Sequence, residues 1–321
     1  MQTPLIGRLQ TRLLGRIKNR PLVHTRQHSM LKQRVITAIA LLSVLVPALL
    51  SSSQVPLALV SLILCATGAW EWGRLNDLSF QKASGIALFC TLLCAGSWRF
   101  RIFIEPNYYF WLTCSVLWVF VGAILLRLGP DRWLNINKTI RILGGVFALY
   151  ATWIAIFQAK AMSVNFLLSI FALVWVADIG AYFFGRAFGR RKLAINISPG
   201  KSWEGVWGGV LAVLFLSWVW VWFDSVQMGQ IQPVQLNSQN STQANYLSLF
   251  SLLADKGFVT EVIALIFMVC MSVVGDLIES LVKRSSGAKD SSKLLPGHGG
   301  VLDRIDALLP TLPIAMLWSL I

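Results

Sequence analysis

Nine apolar runs, at roughly 35–51, 54–73, 83–98, 108–126, 142–159, 163–185, 203–223, 259–282 and 307–321, take up most of this chain. Several approach or exceed the ~20 residues that a helix needs to cross a hydrocarbon core. Charged residues make up only 13% of the sequence, about half the share usual in a soluble domain. The expectation is an all-α, polytopic membrane protein with about nine transmembrane helices. The first and last runs are the weakest; the last contains Pro310 and Pro313, which kink or delay a helix.

The charges between the runs supply an orientation. With the N-terminus inside, segments 1–34, 74–82, 127–141, 186–202 and 283–306 share one side and hold 24 of the 28 Lys and Arg residues. Arg99, Arg101, Lys160 and Lys256 fall on the other. Such a bias is the positive-inside pattern. Residues 1–34 form a basic cytoplasmic extension without an acidic residue, and 35–321 the membrane domain. The net charge of +14 suits anionic lipid headgroups and phosphorylated substrates, since no nucleic-acid module is visible. A bacterial-type inner membrane is expected, with an organellar membrane as the alternative, and a homodimer is a possible assembly.

Several features are read as structural. Cys65, Cys90, Cys94, Cys114 and Cys270 lie in apolar stretches without a zinc-ligand pattern, and read as buried free thiols. His24 and His28 read as solvated. Glu71, between Trp70 and Trp72, reads as an interface residue without chemistry. No internal repeat of the transporter kind is present.

The chemistry concentrates in Gly275–Asp306, GDLIESLVKRSSGAKDSSKLLPGHGGVLDRID. Asp276 and Glu279 begin inside an apolar run, where ionisable groups are costly and usually functional. At helical spacing Asp276, Glu279, Ser280 and Lys283 share a face. Gly297-His298-Gly299-Gly300 has little side chain, so a ligand can approach its backbone. Lys283, Arg284, Lys289, Lys293 and Arg304 supply charge for phosphates, and the carboxylates suit a hard cation.

Two further constellations face the same side. Asp178 lies in WVADIGAYFFGRAFG, about two turns from the end of its run. Ile197–Gly205, ISPGKSWEG, carries Ser198, Lys201, Ser202 and Glu204. Ser202 can cap the seventh helix, whose N-terminus attracts phosphate. It is not a P-loop, because the glycine spacing is absent.

The run Ser280–Arg284, then Lys289-Asp290, Pro296–Gly300 and Asp303–Asp306 resembles the signature of CDP-diacylglycerol synthases, the phosphatidate cytidylyltransferases. The Asp178 and Lys201 stretches resemble the same family. Visible departures are Gly200 where lysine is usual, Ser292 where glycine is common, and Ala307 where serine commonly follows the last aspartate.

The resemblance implies transfer of CMP from CTP to phosphatidate, with Mg²⁺ as cofactor and no nucleic-acid partner. On that reading Asp276, Lys283, Arg284, His298, Asp303 and Arg304 are catalytic, and Asp276 with Asp303 holds the metal. Asp178, Ser198, Lys201, Ser202, Glu204, Lys289, Asp290, Gly299, Gly300 and Asp306 bind substrate. The alternatives are a CTP-dependent lipid kinase, and an ion-coupled transporter relaying through Asp178 and Asp276.

Overall fold

The computed structural model describes residues 33, 35–102, 105–229 and 248–321. The 1–34 extension, apart from residue 33, lies outside them. Helices cover each of the nine apolar runs: α1 (Val35–Leu50), α2 (Val55–Leu75), α3 (Phe80–Arg99), α4 (Tyr108–Leu128), α6 (Lys138–Met162), α7 (Val164–Phe188), α8 (Trp203–Gly229), α10 (Phe258–Ser285) and α12 (Leu308–Trp318). Short helices α5 (Pro130–Trp133), α9 (Leu249–Asp255) and α11 (Leu302–Ile305) sit in the connections.

Among the described residues, six helices are long and apolar enough to cross a membrane: α2, α4, α6, α7, α8 and α10. The six make the protein a polytopic membrane protein. α12 has 11 residues and is buried from Leu308 to Met316; its rise of about 16 Å is near half a hydrocarbon core. It is a core helix, and Pro313 is tolerated inside it.

Local chemistry sets the boundaries. Side chains of Ser79, Asn107, Asn137, Ser163 and Ser248 cap the helices that follow them, each accepting a backbone N–H from the first turn. Gly129 ends α4 at φ +72°, a conformation that L side chains rarely adopt.

Packing then brings particular segments together. α7 and α8 cross closely on small residues: a Cβ on Gly205 would lie 2.8 Å from the Ala181 carbonyl, and one on Gly209 2.8 Å from that of Ala177. α2 crosses α6 with the Trp72 ring seated on Gly145, and Trp72 Nε1 donates to the Arg141 carbonyl at 2.9 Å. Gly275 brings α10 against the chain entering α12, because a Cβ there would overlap the Asp306 carbonyl and lie 2.9 Å from Pro310.

The fold is not wholly helical. Lys192–Ala194 (β1) and Ser198–Ser202 (β2) form an antiparallel hairpin between α7 and α8, pairing Lys192 with Ser202 and Ala194 with Ser198. Pro199 therefore lies in a strand. Of the five cysteines, Cys270 is exposed and the other four are buried.

Candidate active site

The three sequence constellations meet at one end of the bundle. Lys201 Nζ, on β2, lies 2.6 Å from Asp276 Oδ2 on α10. Ser280, one turn along, donates to Asp276 Oδ1 at 3.2 Å. Asp178, on α7, lies within electrostatic reach of both Asp276 and Lys201. Asp306 faces Asp276 from the connection to α12, which the Gly275 contact holds close. Burial, with Asp276 nearby, pushes the Asp306 carboxyl well above its ordinary range.

Beside this group, Lys283 holds two carboxylates. Its Nζ is in ion contact with Glu279 and lies 2.6 Å from Asp303 Oδ1. Glu279 is almost fully buried, and both its oxygens lack an aligned hydrogen bond, so the Lys283 charge is what offsets its burial. Asp303 Oδ2 accepts from Ser291 N at 2.9 Å, Ser291 Oγ at 3.0 Å and Gly300 N at 2.8 Å. Burial alone would raise the Asp303 carboxyl; the Lys283 ammonium and the Gly300 amide outweigh it and hold it at about 2.

Glu71 is the residue that sequence reasoning missed. It is fully buried on α2 and anchors the signature loop from below. Oε1 accepts from Ser292 Oγ at 2.5 Å and Val301 N at 3.0 Å, while Oε2 accepts from Ser291 Oγ at 3.1 Å and Leu302 N at 2.7 Å. The available signal was an acid inside an apolar run; its neighbouring tryptophans suggested an interface instead. Ser292, a departure from the family pattern, supplies one of these four bonds.

The glycines of the loop serve these carboxylates. A Cβ on Gly300 would overlap Ser291 Oγ and come 2.5 Å from Glu71 Oε1. Gly299 has φ +83°, and its Cβ would come 2.7 Å from Asp303 Oδ2. Space that the sequence suggested for ligand is thus occupied at these two positions by the protein's own acids. The turn closes through Leu295 N to Gly299 O at 2.9 Å and His298 N to Leu295 O at 2.9 Å.

The other expected site residues take lesser positions. Arg304 folds onto its own loop, donating through Nη2 to the His298 carbonyl at 2.5 Å. His298 Nδ1 is buried without a partner. Arg284 is exposed, and its Nε reaches the Ile197 carbonyl at 3.4 Å. Lys289 and Asp290 are exposed, and Ser198 is half-buried where β2 begins. Ser202 is buried and caps α8 through Gly205 N at 3.2 Å. Glu204 accepts the amides of Arg190 and Arg191 at 3.1 Å, which fastens the α7–β1 turn.

Residues 32–321 match the model of the cytidylyltransferase family. The chain belongs to that family. It is 34% identical over 303 residues to a phosphatidate cytidylyltransferase of Haemophilus influenzae, covering 88% of this chain and 96% of the relative. It is 35% identical to one from Pseudomonas aeruginosa (90% and 98%) and 29% identical to one from Staphylococcus saprophyticus (88% and 97%). In this cytidylyltransferase, then, the accessible part of the candidate site is Asp178, Lys201 and Asp276. The Glu71–Ser291–Asp303–Lys283 network is its buried frame. Asp276 and Lys201 side chains are 31% and 24% exposed, against 9% for Asp303.

Proposed function

We propose that the protein is a phosphatidate cytidylyltransferase, converting CTP and phosphatidate to CDP-diacylglycerol and pyrophosphate. The observation that carries this reading is the Lys201–Asp276 pair, which joins two motifs 75 residues apart at an accessible acidic cluster. The nucleophile is a phosphate monoester whose second pKa is about 6, so it is largely dianionic near neutral pH. One of its oxygens attacks the α-phosphorus, the α–β phosphoanhydride bond breaks, and pyrophosphate leaves with the electron pair. Charge neutralisation and alignment, not a strong base, are the main demands.

The donor set fits Mg²⁺, which takes one or two carboxylates plus substrate phosphates. No cluster of three or more His, Cys, Asp or Glu side chains is ready-made among the described residues, so substrate oxygens would complete the shell. Asp276 and Asp306 would hold the ion, with Asp178 beside them. This moves one proposed ligand from Asp303, whose oxygens already receive four donors, to Asp306. When bound, Mg²⁺ supplies charge neutralisation for the triphosphate. Lys201 screens the acids in its absence and is free to meet a phosphate in its presence. Lys283 orients Asp303 and Glu279 and acts through them.

The membrane reading follows the charges. The basic segments 74–82, 127–141, 186–202 and 283–306 lie at the site's end, so this end faces the cytoplasm and the N-terminus with it. The homologues named above are bacterial, which supports an inner-membrane location. Purified protein incubated with CTP, phosphatidate and Mg²⁺ tests the function. CDP-diacylglycerol with pyrophosphate supports it; CDP with no liponucleotide would point to a lipid kinase instead.

A further inference from the structure

Arg141, in the first turn of α6, is a buried cation without a counter-ion of its own chain. It is 7% exposed. All 14 carboxylate residues lie among the described residues, and the ion pairs there, Lys201–Asp276, Lys283–Glu279 and Lys283–Asp303, leave Arg141 out. Its guanidinium donates from Nη1 to Asn76 Oδ1 at 3.1 Å and stands 5.6 Å from the centre of the Trp133 ring. Its Nε is buried with no acceptor.

Trp133, 4% exposed on α5, has the same deficit: its Nε1 is buried and unpartnered. Two unsatisfied donors therefore belong to side chains in direct contact, and one of them is charged. Buried donors without acceptors are costly, and a buried charge without a partner more so. Lys160 makes the contrast. It too is 7% exposed and lacks a carboxylate, but its ammonium donates to the carbonyls of Leu49 and Ser51 just at the end of α1. Arg141 receives one amide oxygen at the end of α2 and an aromatic face, which offset only part of its charge.

We propose that Arg141 and Trp133 form a binding site for a phosphate oxyanion, separate from the catalytic cluster. The missing acceptors would be phosphate oxygens, taking the Arg141 Nε–H and the Trp133 Nε1–H. The site lies where α2 ends and α6 begins, beside exposed Arg132 and Lys138. An anionic phospholipid headgroup and free inorganic phosphate share this chemistry. The place also bears on the active site, because Asn76 and Glu71 are five residues apart on the chain leaving α2. An anion held by Arg141 would steady the end of the helix that carries Glu71.

The test uses the full-length, delipidated protein in detergent. Its melting temperature is followed while phosphatidylglycerol, phosphatidylcholine, or sodium phosphate against ionic-strength-matched sodium chloride is added. Phosphatidylglycerol or phosphate is expected to raise the wild-type Tm, with phosphatidylcholine inert. Trp133→Phe keeps the ring and the cation but removes one donor, so the half-saturating anion concentration should rise about tenfold, as loss of one hydrogen bond to a charged acceptor implies. Arg141→Met should abolish the response. A response to phosphate and lipid alike assigns a free-oxyanion site; a response to lipid alone assigns a headgroup site. If no anion stabilises the wild type, or if Trp133→Phe responds like wild type, the proposal is wrong and a water fills the gap. The Trp133→Phe arm decides the matter even if Arg141→Met does not fold.

Discussion

Glu71 Oε2 accepts the backbone N–H of Leu302 at 2.7 Å, across 231 positions of chain. Together with its bonds to Val301, Ser291 and Ser292, this ties the loop bearing Asp303 and Asp306 to α2. The buried carboxylate acts as a surrogate strand partner for a loop that has almost no regular structure of its own. Glu71→Gln replaces one accepting oxygen with a donor and strands at least one buried amide, at a cost of about 1–3 kcal/mol. Activity should fall by roughly 10–100-fold, the usual range for groups that orient a site, while membrane insertion persists. Wild-type kcat/KM for CTP in this variant would remove Glu71 from the account.

The metal assignment separates two aspartates three residues apart. Asp276→Asn and Asp306→Asn should each raise the Mg²⁺ concentration for half-maximal activity by about tenfold or more, or abolish turnover. Asp303→Asn should lower activity through the loop and leave the Mg²⁺ midpoint near wild type. A Mg²⁺ titration of liponucleotide formation reads this directly, and a shift confined to Asp303→Asn would reverse the assignment.

Gly275 sets the spacing between Asp276 and Asp306. In Gly275→Ala the new Cβ must displace the Asp306 carbonyl or Pro310. Overpacking of this kind costs about 1–3 kcal/mol. Both Tm and Mg²⁺-dependent activity should drop; a variant with unchanged Tm and rate would show that the α10–α12 contact is looser than the geometry here.

Asp303 carries a pH dependence of known sign. Its folded carboxyl is held at about 2, below the ordinary 3.8. The stabilisation is complete above the ordinary value and is lost as pH falls from about 4 toward 2, because the proton binds the unfolded chain first. The difference amounts to about 2 kcal/mol. Amide exchange at Ser291 and Gly300, whose N–H groups bond to Asp303, should stay protected down to about pH 4 and accelerate below it. Protection that persists through pH 2 would contradict the anchoring role.

Much of the architecture was legible in one dimension because lipid imposes a one-dimensional rule. A helix must bury its backbone polar groups within itself, so apolar length located every long helix near its observed place. The same rule bears on composition and not on depth. It located α12 without revealing that this helix is a short core element, buried from Leu308 to Met316. Part of the convergence was also legible: Lys201 and Asp276 meet as their motifs suggested, whereas Arg284, Lys289 and Arg304 stay apart from them and Glu71 joins unannounced.

What the chain alone determined, then, was which segments are helices and which residues carry charge into the bundle. Tertiary structure alone decided the division of labour among those charges. Asp276 and Asp303 look alike in sequence, yet one is partly open to solvent beside Lys201 and the other is nearly buried and saturated by four donors. Glu71 read as a membrane-interface acid, and only the fold brings a loop more than two hundred residues away onto it. Hydrogen bonds and charge contacts of that span depend on helix packing in three dimensions, and no local spacing encodes them.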